Sequence, residues 1–184
     1  MGPRLHITGA SGCGVSTLGA ALARRLGAAW FDTDDFYWFV TDPPFRDRRP
    51  APDRLAMLEA ALDGAARTGW VLSGSLDGWG DPLIPRFERV VFLSAATEVR
   101  LARLTARERQ RYGPAIDADG DLRAHHLDFL AFAAGYDDGV FTGALSGRHR
   151  ARHEAWLARL PCPVLRLDGA RPTEELVSAL VGGG

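Results

Sequence analysis

Arg4-Leu-His-Ile-Thr-Gly-Ala-Ser-Gly-Cys-Gly-Val-Ser-Thr17 decides how the chain folds. Residues 5–8 read as a short buried strand. Residues 9–14 form a glycine-rich turn, and from Val15 the apolar residues Leu18, Ala21, Leu22 and Leu26 recur at helical spacing. Gly27 stands where a helix C-cap glycine belongs. Strand, glycine loop and helix in this order are the context a phosphate-binding loop requires. Glycines let backbone N–H groups converge on phosphate oxygens, and the helix N-terminus adds partial positive charge.

Gly9 and Gly14 have the separation of such a loop, and Ser16 occupies the place of its magnesium-binding hydroxyl. The residue between Gly14 and Ser16 is normally a lysine that reaches the β- and γ-phosphates. Here it is Val15, and the chain contains no lysine: its 22 basic residues are all arginine. The replacement cation is therefore an arginine, a metal ion or a group from a partner subunit.

With that substitution, Gly9-Ala-Ser-Gly-Cys-Gly-Val-Ser-Thr17 resembles the loop of the P-loop small-molecule kinases, the adenylate kinase-like and shikimate kinase-like group. It is closer still to the lysine-lacking loops of bacterial proteins labelled as adenylate kinases or as ATP-binding. The resemblance implies a three-layer α/β fold with a five-stranded parallel sheet, helices on both faces and a small lid. It implies that Gly9, Ala10, Ser11, Gly12, Cys13, Gly14, Val15, Ser16 and Thr17 hold the phosphates of ATP, with Mg2+ on Ser16.

Composition sets outer bounds. At 184 residues the chain is most simply one domain with a substantial core. Its net charge of −1 gives no electrostatic case for a nucleic-acid or membrane-surface protein. There is no signal-like N-terminus and no bilayer-length apolar run, and Cys13 and Cys162 provide no disulfide framework. A cytoplasmic monomer or homodimer is the expectation. Arginine without lysine, amid abundant alanine and glycine, fits a genome-composition bias, which does not itself place valine in the loop.

Further along, residues 28–33 read as a second strand ending in acids, and 34–52 as an irregular segment broken by prolines. A helix is expected at 53–67, strands at 70–72 and 89–93, and a helix at 97–111. Residues 113–121 read as a loop within a lid of about 108–125. Helices at 122–134 and 148–160, a strand at 163–167, a helix from Pro172 and a frayed tail at 182–184 complete the pattern. Strands alternating with helices call for a parallel sheet covered on both faces.

Asp32 and Asp34 leave the second strand two residues apart and are expected to share a side. Phe31-Asp-Thr-Asp34 resembles the Asp-x-Asp of shikimate kinase-like enzymes, and Asp34-Asp-Phe-Tyr37 the matching segment of uridine and nicotinamide riboside kinases. That resemblance makes Asp34 the group that orients and deprotonates an acceptor hydroxyl, and Asp32 a magnesium holder through water. The alternative is that both acids cap a loop. Since no acid ends the third strand, Asp32 has to serve in place of one there.

Arg100, Arg103, Arg107 and Arg111 are spaced by three, four and four, so they form one helix stripe that Glu98, on the other face, does not neutralise. Such like-charge pairs cost about 0.2–0.5 kcal/mol each, which is tolerable if the stripe meets an anion. Arg103 and Arg107 resemble the arginine pair that adenylate kinases bring from this helix to the phosphates; a solvated basic face is the alternative. Arg46, Arg48 and Arg49 lie in the segment, about 35–66, that contacts the acceptor in such kinases; Gly74 and Ser75 resemble a glycine-rich acceptor contact. Gly169-Ala-Arg171-Pro172 resembles an adenine-cradling loop. Arg150 and Arg152 are further candidates for the missing cation. His149 and His153, four apart, are weak metal-ligand candidates and read more simply as ordinary residues.

The composite expectation is an ATP- and Mg2+-dependent phosphotransferase acting on a small hydroxyl or phosphate acceptor. In that reading Asp34, Arg103 and Arg107 are catalytic; Arg171 joins the loop on the nucleotide; Asp34, Arg46, Arg49, Gly74 and Ser75 meet the acceptor. A nucleotide-binding regulator without transfer is the alternative, since loop amides survive the loss of lysine. Sulfuryl transfer on the same fold has only the altered loop in its favour.

Overall fold

The computed structural model describes residues 2–182; of the expected frayed tail, Gly182 closes the last helix and the rest lies outside the described residues. Five strands, β1 (Arg4–Gly9), β2 (Ala29–Asp32), β3 (Trp70–Ser73), β4 (Arg89–Ser94) and β5 (Val164–Asp168), form one sheet in the order β2-β3-β1-β4-β5. Every pairing is parallel. A sheet buried on both faces needs near-continuous apolar strands, and all four residues of β3 are buried, as are His6 to Gly9 of β1.

Helices α1 (Val15–Leu26), α2 (Thr33–Tyr37), α3 (Ala51–Gly64), α4 (Thr97–Tyr112), α5 (Asp121–Ala134), α6 (Arg150–Leu157) and α7 (Thr173–Gly182) cover it. Two core clusters sit against the sheet. One packs Leu18, Leu22, Leu176 and Val177 on Ile7, Val71, Val91 and Leu93; the other packs Leu58, Leu62, Trp156 and Leu157 on Trp70, Leu72, Val90 and Phe92. β1 is central, so the loop that follows it opens at the carboxyl edge of the sheet, where α/β folds bind ligands.

Three expected boundaries move. α2 begins at Thr33, the last residue of the expected strand, and runs into the segment read as irregular, because the Asp32 carboxylate accepts the Asp34 N–H at 3.0 Å and caps a helix there. The presumed loop after α4 contains a 3-10 turn, Gly113–Ile116. α6 starts at Arg150, not at 148: Gly147 has φ 132°, and His149 is extended and caps the helix through Nδ1.

A buried ion-pair hub fixes the far ends of these elements. Arg100 is fully buried and donates to the Ala95 carbonyl, to the Ala133 carbonyl at 2.9 Å, to the Thr97 hydroxyl at 3.0 Å and to Asp137 at 2.8 Å. Arg150 and Thr97 also donate to Asp137. Burial alone would raise the Asp137 carboxyl, but the bonds from Thr97, Arg150 and Arg100 outweigh it and hold the group below the ordinary aspartate value of 3.8.

Two outcomes are expected in urea titrations. Trp70→Ala removes a fully buried ring and costs about 3–5 kcal/mol. Asp137→Asn costs about 2 kcal/mol at neutral pH, the lower side for a partly exposed partner of a buried cation. A depressed carboxyl stabilises above its unfolded pKa, so the wild-type advantage over the variant shrinks as pH falls below 3.8.

Candidate active site

The loop between β1 and α1 is shaped by two left-handed glycines, Gly12 (φ 86°) and Gly14 (φ 91°), a conformation that side chains oppose. A Cβ on Gly12 would also lie 2.6 Å from the Arg100 carbonyl oxygen. Gly14 is the N-cap of α1 and offers no side-chain acceptor, so the first helical amides keep their donors for a ligand. The first turn of α1 holds no acid and its last turn holds Arg24 and Arg25, a polarity that suits an anion at its start. Ser16 and Thr17 are exposed there, while Ala10 is buried and Ser11 and Val15 half-buried. Cys13 is buried with its amide bonded to Ala10, and burial pushes its thiol up. The cysteine fills the turn as a protonated thiol.

An open cleft of about 230 Å³ adjoins the loop, lined by Cys13, Gly14, Thr17, Arg103, Gly169 and Arg171 among others. Arg103 crosses it, donating to the Gly169 carbonyl at 2.8 Å and approaching the Gly12 carbonyl at 3.5 Å. Arg103 thus ties α4 to the glycine loop and the β5–α7 turn. Arg171, exposed, pairs with Glu175 at 3.1 Å.

On the other side stand the acids. Asp32 ends β2 level with Ser73 of β3. Asp34 lies in the first turn of α2 rather than on an extended strand. The residue is exposed, yet desolvation, then the Asp32 charge, push its pKa up; Arg148, Trp38 and Arg107 pull the other way. Gly74 (φ 116°) lets β3 pass Thr33, whose hydroxyl would lie 1.8 Å from a Cβ there and accepts the Ser75 N–H at 3.1 Å. Gly74 and Ser75 are therefore locked to the helix that carries Asp34.

The acceptor-side arginines divide. Arg46 is exposed. Arg49 donates to the Trp38 carbonyl at 3.0 Å and lies 4.8 Å over Phe39, holding its own segment together. Arg54 was not apparent as a site residue from sequence. It is buried, 3.7 Å over Tyr37 and 5.8 Å from Trp79, and its Nε donates to the Arg49 carbonyl at 2.6 Å. A cation in the first turn of a helix opposes the dipole, which is the signal that marks it.

The arginine stripe of α4 is not the unneutralised row the spacing suggests. Arg107 and Arg111 pair with buried Glu108 at 3.0 and 3.2 Å, and Arg100 is consumed by Asp137. Arg150 and Arg152 also have acids, Asp137 and Asp77, so neither is a spare cation. The His149–His153 pair is not a metal site either. His149 caps α6, and His153 is buried between the Thr8 hydroxyl at 3.0 Å and the Tyr136 hydroxyl at 2.9 Å. Burial lowers His153 to about 3, so it stays neutral and links α6 to the strand beneath the loop. Arg148, just ahead of α6, points an N–H at the Ser11 hydroxyl at 3.3 Å.

Among the described residues no group of three or more His, Cys, Asp or Glu side chains could hold a metal ion, and no helix is long and apolar enough to cross a membrane. The family model described as AAA domain matches residues 6–122. The uncharacterized protein YqaC of Bacillus subtilis (strain 168) is 41% identical over 98% of this chain and 97% of its own. Shikimate kinase 2 of Sodalis glossinidius (strain morsitans) is 55% identical over 41 residues, 22% of this chain and 24% of its own. The unliganded structure of a sugar kinase from Janibacter sp. HTCC2649 superposes with a TM-score of 0.50 at 17% identity, covering 99% of this chain and 94% of that one. With the family match spanning most of the chain and the parallel sheet and glycine loop in place, the chain belongs to this AAA-domain family.

Proposed function

We propose that the protein transfers the γ-phosphoryl group of ATP to a hydroxyl or phosphate of a small acceptor such as a nucleoside or nucleoside monophosphate. The observation that carries this reading is the position of Asp34 in the first turn of α2, at the same carboxyl edge of the parallel sheet onto which the glycine loop opens. A site that only binds nucleotide has no use for an acid in that place.

In this reading the loop amides and the α1 dipole hold the triphosphate, and the base lies in the cleft between Arg103 and the β5–α7 turn. With a hydroxyl acceptor, Asp34 takes its proton as the oxygen bonds to the γ-phosphorus; the bond from that phosphorus to the β,γ-bridging oxygen breaks and ADP leaves. Positioning and charge neutralisation do the rest. Gly74, Ser75, Arg46 and Arg49 frame the acceptor side, with Arg54 and Tyr37 as its floor.

The donor set fits magnesium. Ser16 presents an exposed hydroxyl, and Asp32 keeps one carboxylate oxygen beyond that bonded to Asp34. Mg2+ takes few protein ligands and fills its shell with water and phosphate, so the absence of an acidic cage among the described residues suits it. Ser16 and Asp32 would hold it, and bound there it supplies neutralisation of phosphate charge.

Asp34→Asn is expected to lower acceptor-dependent ADP release by a factor of about 100 or more while sparing ATP affinity. Undiminished release removes Asp34 as the base. A base must be ionised, so for hydroxyl acceptors the wild-type rate falls with acid through a pKa above the ordinary 3.8, and Asp34→Asn loses that limb. Tight nucleotide binding without turnover on any pool of nucleosides, nucleoside monophosphates or polyols would favour a regulator instead.

A further inference from the structure

The loop holds no cation of its own. Val15 takes the lysine's position and packs its side chain against the core cluster under α1. The arginines nearby are engaged: Arg100 and Arg150 by Asp137, Arg152 by Asp77, Arg107 and Arg111 by Glu108, Arg103 by two carbonyls.

Arg148 differs from all of them. It has no carboxylate within ion-pair distance among the described residues, and its one hydrogen bond reaches Ser11 Oγ, inside the loop, at 3.3 Å. Its Nε is closed off from solvent with no hydrogen-bond partner among those residues. Burying a guanidinium N–H without a partner is costly unless an anion completes it. Burial pulls its pKa down, and the charge of Asp34 opposes that shift. The chain that follows it is pinned: the Arg150 N–H bonds the Tyr136 carbonyl at 2.7 Å, Arg150 grips Asp137, and His153 anchors α6 to Thr8. The planar fork of arginine matches two phosphate oxygens at once.

We propose that Arg148 supplies from outside the loop the charge that a lysine supplies from within it, closing on the outermost phosphate of the triphosphate that residues 12–17 hold. The assignment rests on the reading of the loop as a nucleoside triphosphate site. It places the cation on the donor phosphate from outside the loop, where it neutralises the transferred phosphoryl.

Calorimetric titration with ATP and with ADP, each with magnesium, tests it on four proteins: wild type, Arg148→Ala, Arg148→Lys, and Val15→Lys combined with Arg148→Ala. Wild type is expected to prefer ATP over ADP by about tenfold. Arg148→Ala abolishes that preference while ADP affinity holds within about twofold, Arg148→Lys keeps part of it, and Val15→Lys restores it in the Arg148→Ala background. Retention of the preference in Arg148→Ala overturns the assignment and leaves the kinase reading standing. Loss of ADP and ATP binding together in both single variants makes Arg148 structural and likewise overturns it. Failure of the wild type to bind either nucleotide brings down the kinase reading, and Arg148 with it.

Discussion

A glycine loop at a helix N-terminus offers a polyphosphate several amides and a partial charge, but this one offers no full positive charge from its own residues. That constraint organises the arginines around it. Asp137 draws Arg100 into the fold to brace the loop from behind and draws Arg150 aside. Glu108 takes up two members of the α4 stripe, and Asp77 takes Arg152. Beside Arg103, spent on the Gly12 and Gly169 carbonyls, what remains pointing at the loop is Arg148, just ahead of a helix whose buried histidine is bonded to the strand that leads into the loop. Acids that look incidental in the chain thus sort cations into those that build the site and those left to serve it.

The acidic side follows from a similar local choice. Asp32 uses one oxygen to cap α2, and the cap turns the chain so that Asp34 rises from a helix into the cleft. Desolvation, then the charge of Asp32, raise its pKa, a pattern found where carboxyls handle protons. Arg148 opposes that rise, so the donor and acceptor halves of the site are electrostatically one.

Much of this was legible in the residues. The strand, glycines and helical spacing of residues 4–27 specify their own structure locally, and the alternation of apolar runs with helical stretches specifies a parallel sheet. Asp34 was legible as a candidate, but its placement was not, because two residues that alternate on a strand also suit a cap and a helix start. The arginines were harder. Charge spacing on α4 ignores Asp137, which lies 37 residues from Arg100 in the chain, and treats Glu108 as a bystander to its immediate neighbour. Arg148 was passed over in favour of Arg150 and Arg152: the helix was expected to start at 148, whereas Gly147 and the His149 cap leave Arg148 outside it, with an N–H on Ser11. Arg54 acquires meaning only when folding lays it on Tyr37.

The most direct test of this account is a crystal structure with a non-hydrolysable ATP analogue and magnesium. The account places the γ-phosphate against the amides at the start of α1 with the Arg148 guanidinium bonded to it and Asp34 open beyond. A triphosphate lying outside the glycine loop, or one seated there with Arg148 turned away and another cation on its γ-phosphate, would contradict it.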